Sequence, residues 1–329
     1  MRSEQRPLGR TGRTIPCIGL GCVTFGREID EEASFRILDY AVEQGITFLD
    51  TAEVYGGGQA RSYRKNYLGV EDVREVSGEM SSSERILGRW LRARNCRDAV
   101  TICTKVSTGG GPENIARALA ASLERLGLDR VDVYKMHSPD PNTPIEETLG
   151  ALDAEVKAGR IGAIGSSNYS AAQMREALSA SAGRGYARFE ITQPSYSLAD
   201  RDAEKELFSV CRSEQIAVTS YSPLGAGFLA GKYTPDRNQF PKGSRFDVIP
   251  GHADVYFSDR NFRVVERLRD KAAQLGLPMV RLAMAWAMTN PDVTAVLIGA
   301  RTQSHIDNAL AAHDLHLDPG LRAEMSAWE

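Results

Sequence analysis

Short apolar runs alternate with amphipathic stretches along nearly the whole chain. The runs fall at 18–21, 46–49, 100–104, 131–136, 161–165, 189–192, 216–219 and 294–298, and each has the length of a buried strand. Between them, apolar residues recur at helical spacing. Ile37, Leu38 and Ala41 follow the acidic start Asp30-Glu31-Glu32, which suits a helix N-terminus. Ile86, Leu87, Trp90 and Leu91 form a second stripe. Ile115, Leu119, Leu123 and Leu126 follow Pro112, and Leu149, Leu152 and Val156 follow Pro144-Ile145-Glu146-Glu147. Further helical patterns cover 173–178, 204–211, 262–275 and 280–288. Buried strands joined by crossover helices predict a parallel sheet. Eight of them predict an α/β fold closed as a (β/α)8 TIM barrel, in one domain over 1–329. No GxGxxG follows the first run, which argues against an open dinucleotide-binding sheet. The turn-rich stretch Leu8-Gly9-Arg10-Thr11-Gly12-Arg13 predicts an N-terminal β-hairpin ahead of the first barrel strand. Two long loops, 57–82 and 233–259, are expected at the C-terminal face, where barrel loops surround the active site.

Polar residues stand at the ends of several apolar runs. Asp50 closes the second run, and Tyr55 lies on the loop just beyond it. Lys105 closes the third and His137 the fourth. An acid, a phenol, an amine and an imidazole at equivalent strand ends point to one site at one face of the sheet. At these residues the chain resembles the aldo-keto reductases. The motifs that carry the resemblance are Asp50-Thr51-Ala52-x-x-Tyr55-Gly56, Thr104-Lys105-Val106, His137-Ser138-Pro139-Asp140 and Ile164-Gly165-Ser166-Ser167-Asn168-Tyr169, in that order. They lie within a likeness that runs from about Leu8 to about Leu317.

Reducing a carbonyl takes a hydride at carbon and a proton at oxygen. No side chain carries a hydride, so a nicotinamide supplies it. A free tyrosine, with a pKa of about 10, is a poor acid at neutral pH. Lys105 is expected to stabilise the Tyr55 phenolate and lower that value, with Asp50 holding Lys105 charged and aimed. His137 is expected to donate to, or orient, the carbonyl oxygen. The resemblance implies the same four roles.

It also implies a cofactor path. Ser167, Asn168 and Gln193 hold the nicotinamide amide, and Tyr221 stacks beneath its ring. Ser222, Pro223, Leu224, Gly225 and Gly227 cover the pyrophosphate with help from Lys232. Gly299, Arg301, His305 and Asn308 sit at the adenosine end, Arg301 on a 2′-phosphate. Gly21, Cys22, Val23 and Asp50 complete the set. Family members usually carry Glu-Asn where this chain has Asn308-Ala309, so NAD stays open beside NADP as cofactor. Relatives also often have a Trp near Cys22-Val23-Thr24-Phe25, beside the substrate. The hairpin, by resemblance, closes the bottom of the barrel.

Composition removes several other classes. A formal net charge of −3 over 329 residues gives no basic field for nucleic acid or anionic lipid. The residues before Leu8 are polar, and no apolar run spans a bilayer, so a cytoplasmic protein is expected. The five cysteines form no CxxC pair and read as buried thiols of a reducing compartment. The five histidines are scattered, with no HExxH and no Cys/His cluster, so no metal site is expected. The expected partner is a small carbonyl or alcohol, with oligomeric state open. Two alternatives stand beside an NADP-dependent reductase: an NAD-dependent sugar dehydrogenase, and a nucleotide-binding subunit like the channel-associated β-subunits. The 57–82 insertion starts beside Tyr55 and offers Arg61, Tyr63, Arg64, Lys65, Tyr67 and Met80 as a substrate-side wall.

Overall fold

Side chains alternate across each strand, and this sets two cores at different radii. The computed structural model describes residues 4–58, 65 and 75–329. Its eight barrel strands are β3 (Ile18–Gly21), β4 (Phe48–Asp50), β5 (Thr101–Val106), β6 (Val131–Met136), β7 (Ile161–Ser167), β8 (Phe189–Gln193), β9 (Ala217–Ser220) and β10 (Ala295–Gly299). They close in the order β10-β3-β4-β5-β6-β7-β8-β9, every neighbour pair parallel. This is the predicted (β/α)8 barrel. Inside it, Phe48, Cys103, Val133, Ile191, Ala217 and Leu297 pack on one another. Outward-facing residues such as Leu20, Leu49, Ile102 and Tyr134 pack in a second core that includes helix residues such as Leu87 and Trp90.

The hairpin forms as expected, from β1 (Gln5–Pro7) and β2 (Thr14–Pro16), paired antiparallel. Leu8 and Ile15 join the inner core, so the hairpin stops the N-terminal end of the barrel with apolar side chains. Arg10 N–H donates to the Glu190 carboxylate at 2.7 Å, fixing the hairpin tip at the start of β8.

The helices begin and end where local chemistry says. Helix α1 (Glu31–Glu43) is capped by Asp30, whose Oδ1 accepts from Ala33 N–H at 2.8 Å. Helix α2 (Ser82–Arg94) buries Ile86, Leu87, Trp90 and Leu91, the predicted stripe. Helix α3 (Pro112–Leu126) has Pro in its first turn and ends on Gly127 in the left-handed conformation. Helices α4 (Ile145–Lys157), α5 (Ala171–Arg184), α6 (Asp202–Lys205) and α7 (Leu207–Glu214) continue the alternation.

The 233–259 stretch is not a bare loop. It contains α8 (Arg245–Val248) and α9 (His252–Tyr256), folded on aromatic contacts. Tyr233 and Phe246 stack at 4.3 Å, and Phe246 is fully buried. Phe240 and Phe257 meet Phe246 edge-on. Burying this much aromatic surface offsets the entropy of ordering a long connection. Helices α10 (Asp259–Leu275), α11 (Met279–Met288), α12 (Gln303–His313) and α13 (Pro319–Ser326) complete the chain. No described helix is long and apolar enough to cross a membrane.

Candidate active site

Parallel register brings the strand ends level. Gly21 pairs with Asp50 on one side and Gly299 on the other; Lys105 pairs with Lys135, and Ser167 with Gln193. Two residues beyond the inner apolar layer, the same strand face turns polar. Phe48 is followed by Asp50, Cys103 by Lys105, Val133 by Lys135, Ile191 by Gln193 and Ala217 by Thr219. Period-two alternation therefore builds a charged layer on an apolar floor.

Asp50 is the centre of that layer and is 1% exposed. Lys105 Nζ donates to its Oδ1 at 2.5 Å and to the Thr51 carbonyl at 2.7 Å. Lys135 Nζ meets Asp50 Oδ2 at 3.3 Å, and also donates to Gln193 Oε1 at 3.1 Å and Thr219 Oγ1 at 3.2 Å. Gln193 Nε2 donates back to Asp50 Oδ1 at 3.2 Å. Burial by itself would raise the Asp50 pKa, but the two lysines outweigh it and hold the carboxyl down at about 2. For Lys105, burial pulls the pKa down, Asp50 pushes it up, and the net direction is up. A buried pair of this kind keeps its charges because every polar atom has a partner.

Above this layer, Lys105 Nζ lies 4.8 Å from the centroid of the Tyr55 ring. Tyr55 Oη stands 3.5 Å from His137 Nε2, and the two rings meet edge-on. His137 Nδ1 is 2.6 Å from Ser107 Oγ, which fixes the ring's orientation. Burial and the neighbouring Lys105 charge push the His137 pKa down to about 3, so its imidazole is neutral at ordinary pH. Tyr55 departs from expectation. Burial raises its pKa more than Lys105 lowers it, and the net direction is above the usual tyrosine value. The phenol is thus protonated, and the Lys105 charge acts as a counterweight to burial.

The other predicted residues differ in exposure; in the 222–227 loop Pro223 and Gly225 are buried, and Ser222, Leu224 and Gly227 are partly exposed. Ser167, Gln193 and Cys22 are buried against the charged layer; Cys22 N–H donates to the Asp50 carbonyl at 2.8 Å. Gly21 and Val23 flank Cys22 and are partly exposed. Asn168, Lys232, Gly299, Arg301 and His305 are exposed, and Tyr221 Oη donates to Asn168 Oδ1 at 2.9 Å. Asn308 Oδ1 accepts from Arg281 Nε at 2.8 Å. His305 is engaged as well: its Nδ1 stands 2.8 Å from Thr302 Oγ1 in a box that caps α12.

Local reading of the sequence missed Lys135, which lies inside an apolar run. The available signal was its spacing of two from His137, which puts Lys135 on the inner face of β6 and His137 on the same side just past the strand's end. Gly165 makes room for it: an added Cβ there would stand 2.5 Å from Ile191 Cγ2 and 3.2 Å from Lys135 Cγ. Also missed was a cluster at the mouth, where Glu28 pairs with Arg27 at 2.7 Å, Arg245 at 3.0 Å and Arg301 at 3.5 Å.

Of the 57–82 insertion, the two ends are described. Gly57 N–H donates to Ser82 Oγ at 2.9 Å, and Gly58 N–H to Glu75 Oε2 at 2.8 Å. Gly57 is needed for this closure, because a Cβ there would lie 1.9 Å from the Ser77 carbonyl oxygen. The glycines at the base therefore serve close packing, and Gly56 and Gly58 also take left-handed φ values of 121° and 83°. Arg61, Tyr63, Arg64 and Tyr67, on which the expected substrate-side wall rests, lie outside the described residues; Lys65 and Met80 are exposed.

The Aldo/keto reductase family model matches residues 17–327. This chain belongs to the aldo/keto reductase family. It is similar, at 31% identity over 329 residues, to a Bacillus subtilis (strain 168) protein named uncharacterized oxidoreductase YrpG, covering 96% of this chain and 92% of that one. Two plant relatives are named probable voltage-gated potassium channel subunit beta. The one from Arabidopsis thaliana is 32% identical over 325 residues, and the one from Oryza sativa subsp. japonica 32% over 324; each match covers 95% of this chain and 92% of the relative. Family and relatives make this aldo/keto reductase an NAD(P)H-dependent oxidoreductase.

Proposed function

We propose that the protein is an NADP-dependent reductase of aldehydes, ketones or sugars, with Tyr55 as the general acid. The observation that carries this reading is the Tyr55–His137–Lys105–Asp50 arrangement, a neutral phenol and a neutral imidazole 3.5 Å apart above a buried lysine. A bound nicotinamide supplies the hydride. A carbonyl oxygen seated between Tyr55 Oη and His137 Nε2 takes its proton from the phenol while His137 donates a hydrogen bond. The phenolate left behind faces the Lys105 ammonium, and Asp50 keeps that ammonium charged. In the reverse direction the same phenolate takes the proton from an alcohol.

The residues fit a dinucleotide on structural grounds. In the 222–227 loop, Ser222 and Ala226 adopt left-handed φ values of 56° and 54°, alongside Gly225 and Gly227. Non-glycine residues in that region are strained by about 1–2 kcal/mol each, a cost commonly met at ligand clamps. Partial desolvation first, and then the Arg301 charge, depress the pKa of the Lys232 ammonium. An anion placed between the two side chains relieves that repulsion. Arg301 sits just before the N-terminus of α12, which favours a phosphate. Its present contacts are long, 3.4 Å to the Gly243 carbonyl and 3.5 Å to Glu28, so they compete weakly with a 2′-phosphate.

Arg301→Ala is therefore expected to weaken NADPH about tenfold or more and to leave NADH nearly unchanged. Fluorescence titration with both nucleotides measures it, and an equal loss for the two would remove the 2′-phosphate assignment.

The plant relatives favour a second reading, a nucleotide-holding subunit with slow turnover. A panel of aldehydes and ketones at saturating NADPH separates the two. Turnover of at least about 1 per second on some panel member supports the enzyme, whereas uniformly slow turnover with tight NADPH binding supports the subunit.

A further inference from the structure

At the end of the barrel away from Tyr55, residues distant in sequence meet. Cys17 lies just before β3, and its N–H donates to the Glu4 carbonyl at 2.8 Å. His313 is the last residue of α12, which begins just after β10. Cys17 Sγ stands 3.8 Å from His313 Nδ1 and 3.9 Å from Nε2. The Glu4 carboxylate completes the set, with one donor atom from each of the three within 4.8 Å of the others. His316 packs its ring edge-on against His313, centroids 6.1 Å apart.

A tetrahedral zinc with Zn–S near 2.3 Å and Zn–N near 2.0 Å separates sulfur and nitrogen by about 3.6 Å. The observed separation is already within a few tenths of an ångström of that. The two imidazole nitrogens are almost equally far from the sulfur, so a turn of the ring presents either one. A thiol, an imidazole and a carboxylate form a donor set that suits zinc and not magnesium or calcium, which take oxygen. The carboxylate is held in place from outside. Arg6 Nη2 meets Glu4 Oε2 at 2.8 Å while Arg6 Nη1 donates to the Val293 carbonyl at 2.8 Å. A carboxylate has two oxygens, so this contact leaves one for a cation and supplies the outer-shell support that ligands usually have.

We propose that Glu4, Cys17 and His313 bind one zinc-class divalent cation. The fourth position faces solvent, with His316 beside it. On binding, the Cys17 thiol loses its proton to solvent and becomes a thiolate ligand; nothing is oxidised or reduced. The ion ties the N-terminal hairpin to the last barrel helix, so it stabilises the fold and leaves the chemistry at the other end untouched.

The test uses the full-length protein, stripped with a chelator and desalted. Cobalt(II) chloride is added first, because a thiolate ligand gives a near-ultraviolet charge-transfer band. Zinc chloride is then titrated in competition with a chromogenic chelator. The expected result is one equivalent bound, with a zinc Kd tighter than about 1 μM. Zinc should raise the melting temperature while carbonyl turnover stays unchanged. Cys17→Ser should abolish the cobalt band, and His313→Gln should weaken zinc at least tenfold. Cys96→Ser should behave as wild type. No band at one equivalent, a band that survives Cys17→Ser, or a zinc Kd weaker than about 100 μM overturns the proposal. Should Cys17→Ser fold poorly, Glu4→Gln and His313→Gln decide it, since both alter side chains that reach the surface; undiminished zinc affinity in both overturns the site.

Discussion

Tyr55→Phe is expected to slow carbonyl reduction by about a hundredfold to ten-thousandfold, the usual worth of a positioned proton donor. Only the hydroxyl is lost, so the ring keeps its edge-on contact with His137 and its place over Lys105. Most of the proposed cofactor contacts lie on later strands and none needs the Tyr55 hydroxyl, so NADPH affinity should hold within about twofold. The loss should fall on kcat and kcat/KM together, because the phenol acts in the transition state and not in binding. The pH profile adds a second readout. Burial raises the Tyr55 pKa above its usual value and drops that of His137 to about 3. Reduction by the wild type should therefore be nearly flat from about pH 5 to pH 9, with no step at the ordinary histidine value of about 6.5. Reduction by Tyr55→Phe within tenfold of wild type would falsify the acid assignment. A sharp step near the ordinary histidine value would instead mean that His137 titrates in the working range.

The pieces of this site differ in how far the sequence announces them. Asp50, Lys105 and His137 are legible because each is a polar residue where an apolar run stops. Parallel register then makes the strand ends converge without further information. Lys135 is not legible in the same way. It lies within an apolar run, and what makes its burial tolerable is a carboxylate 85 residues earlier, an amide 58 residues later and a hydroxyl 84 residues later. Those partners exist only once the barrel has closed. The direction of the Tyr55 pKa was hidden for a related reason. The Lys105 charge is visible as a motif, but the desolvation that outweighs it belongs to the folded mouth. Asn308 is placed at the adenosine end by resemblance alone, and the Arg281 guanidinium that donates to it comes from the preceding helix. Of the arginines around Glu28, Arg27 is its neighbour in sequence, whereas Arg245 starts α8 and Arg301 precedes α12. Strand ends can be read from local pattern; pairing across the mouth is a property of tertiary closure.

Asp50→Asn should destabilise the fold by roughly 3–5 kcal/mol, the usual cost of leaving buried charge without its partner. That is a large share of the roughly 5–15 kcal/mol typical of a domain. The wild-type carboxylate neutralises one of two lysines and accepts from Lys105, Lys135 and Gln193. The amide of the variant can still accept, but both ammonium groups would then lack a counter-charge in a layer shut from water. Lys135→Met in the Asp50→Asn background removes one of those charges and should recover part of the loss. The effects of the two substitutions should not add, because the residues are in contact. Acid unfolding provides an independent check with a defined sign. The folded-state pKa of Asp50 is lowered from 3.8 to about 2. A lowered carboxyl pKa contributes stability that is complete above the unfolded value, and that is lost as pH falls through the folded one. The contribution, on the order of 2–3 kcal/mol, should vanish between about pH 4 and pH 2. Urea unfolding of the wild type, both single variants and the double variant measures all of this. Wild-type stability in Asp50→Asn, or a double variant no more stable than Asp50→Asn, would mean that the two lysines do not depend on Asp50 for their burial.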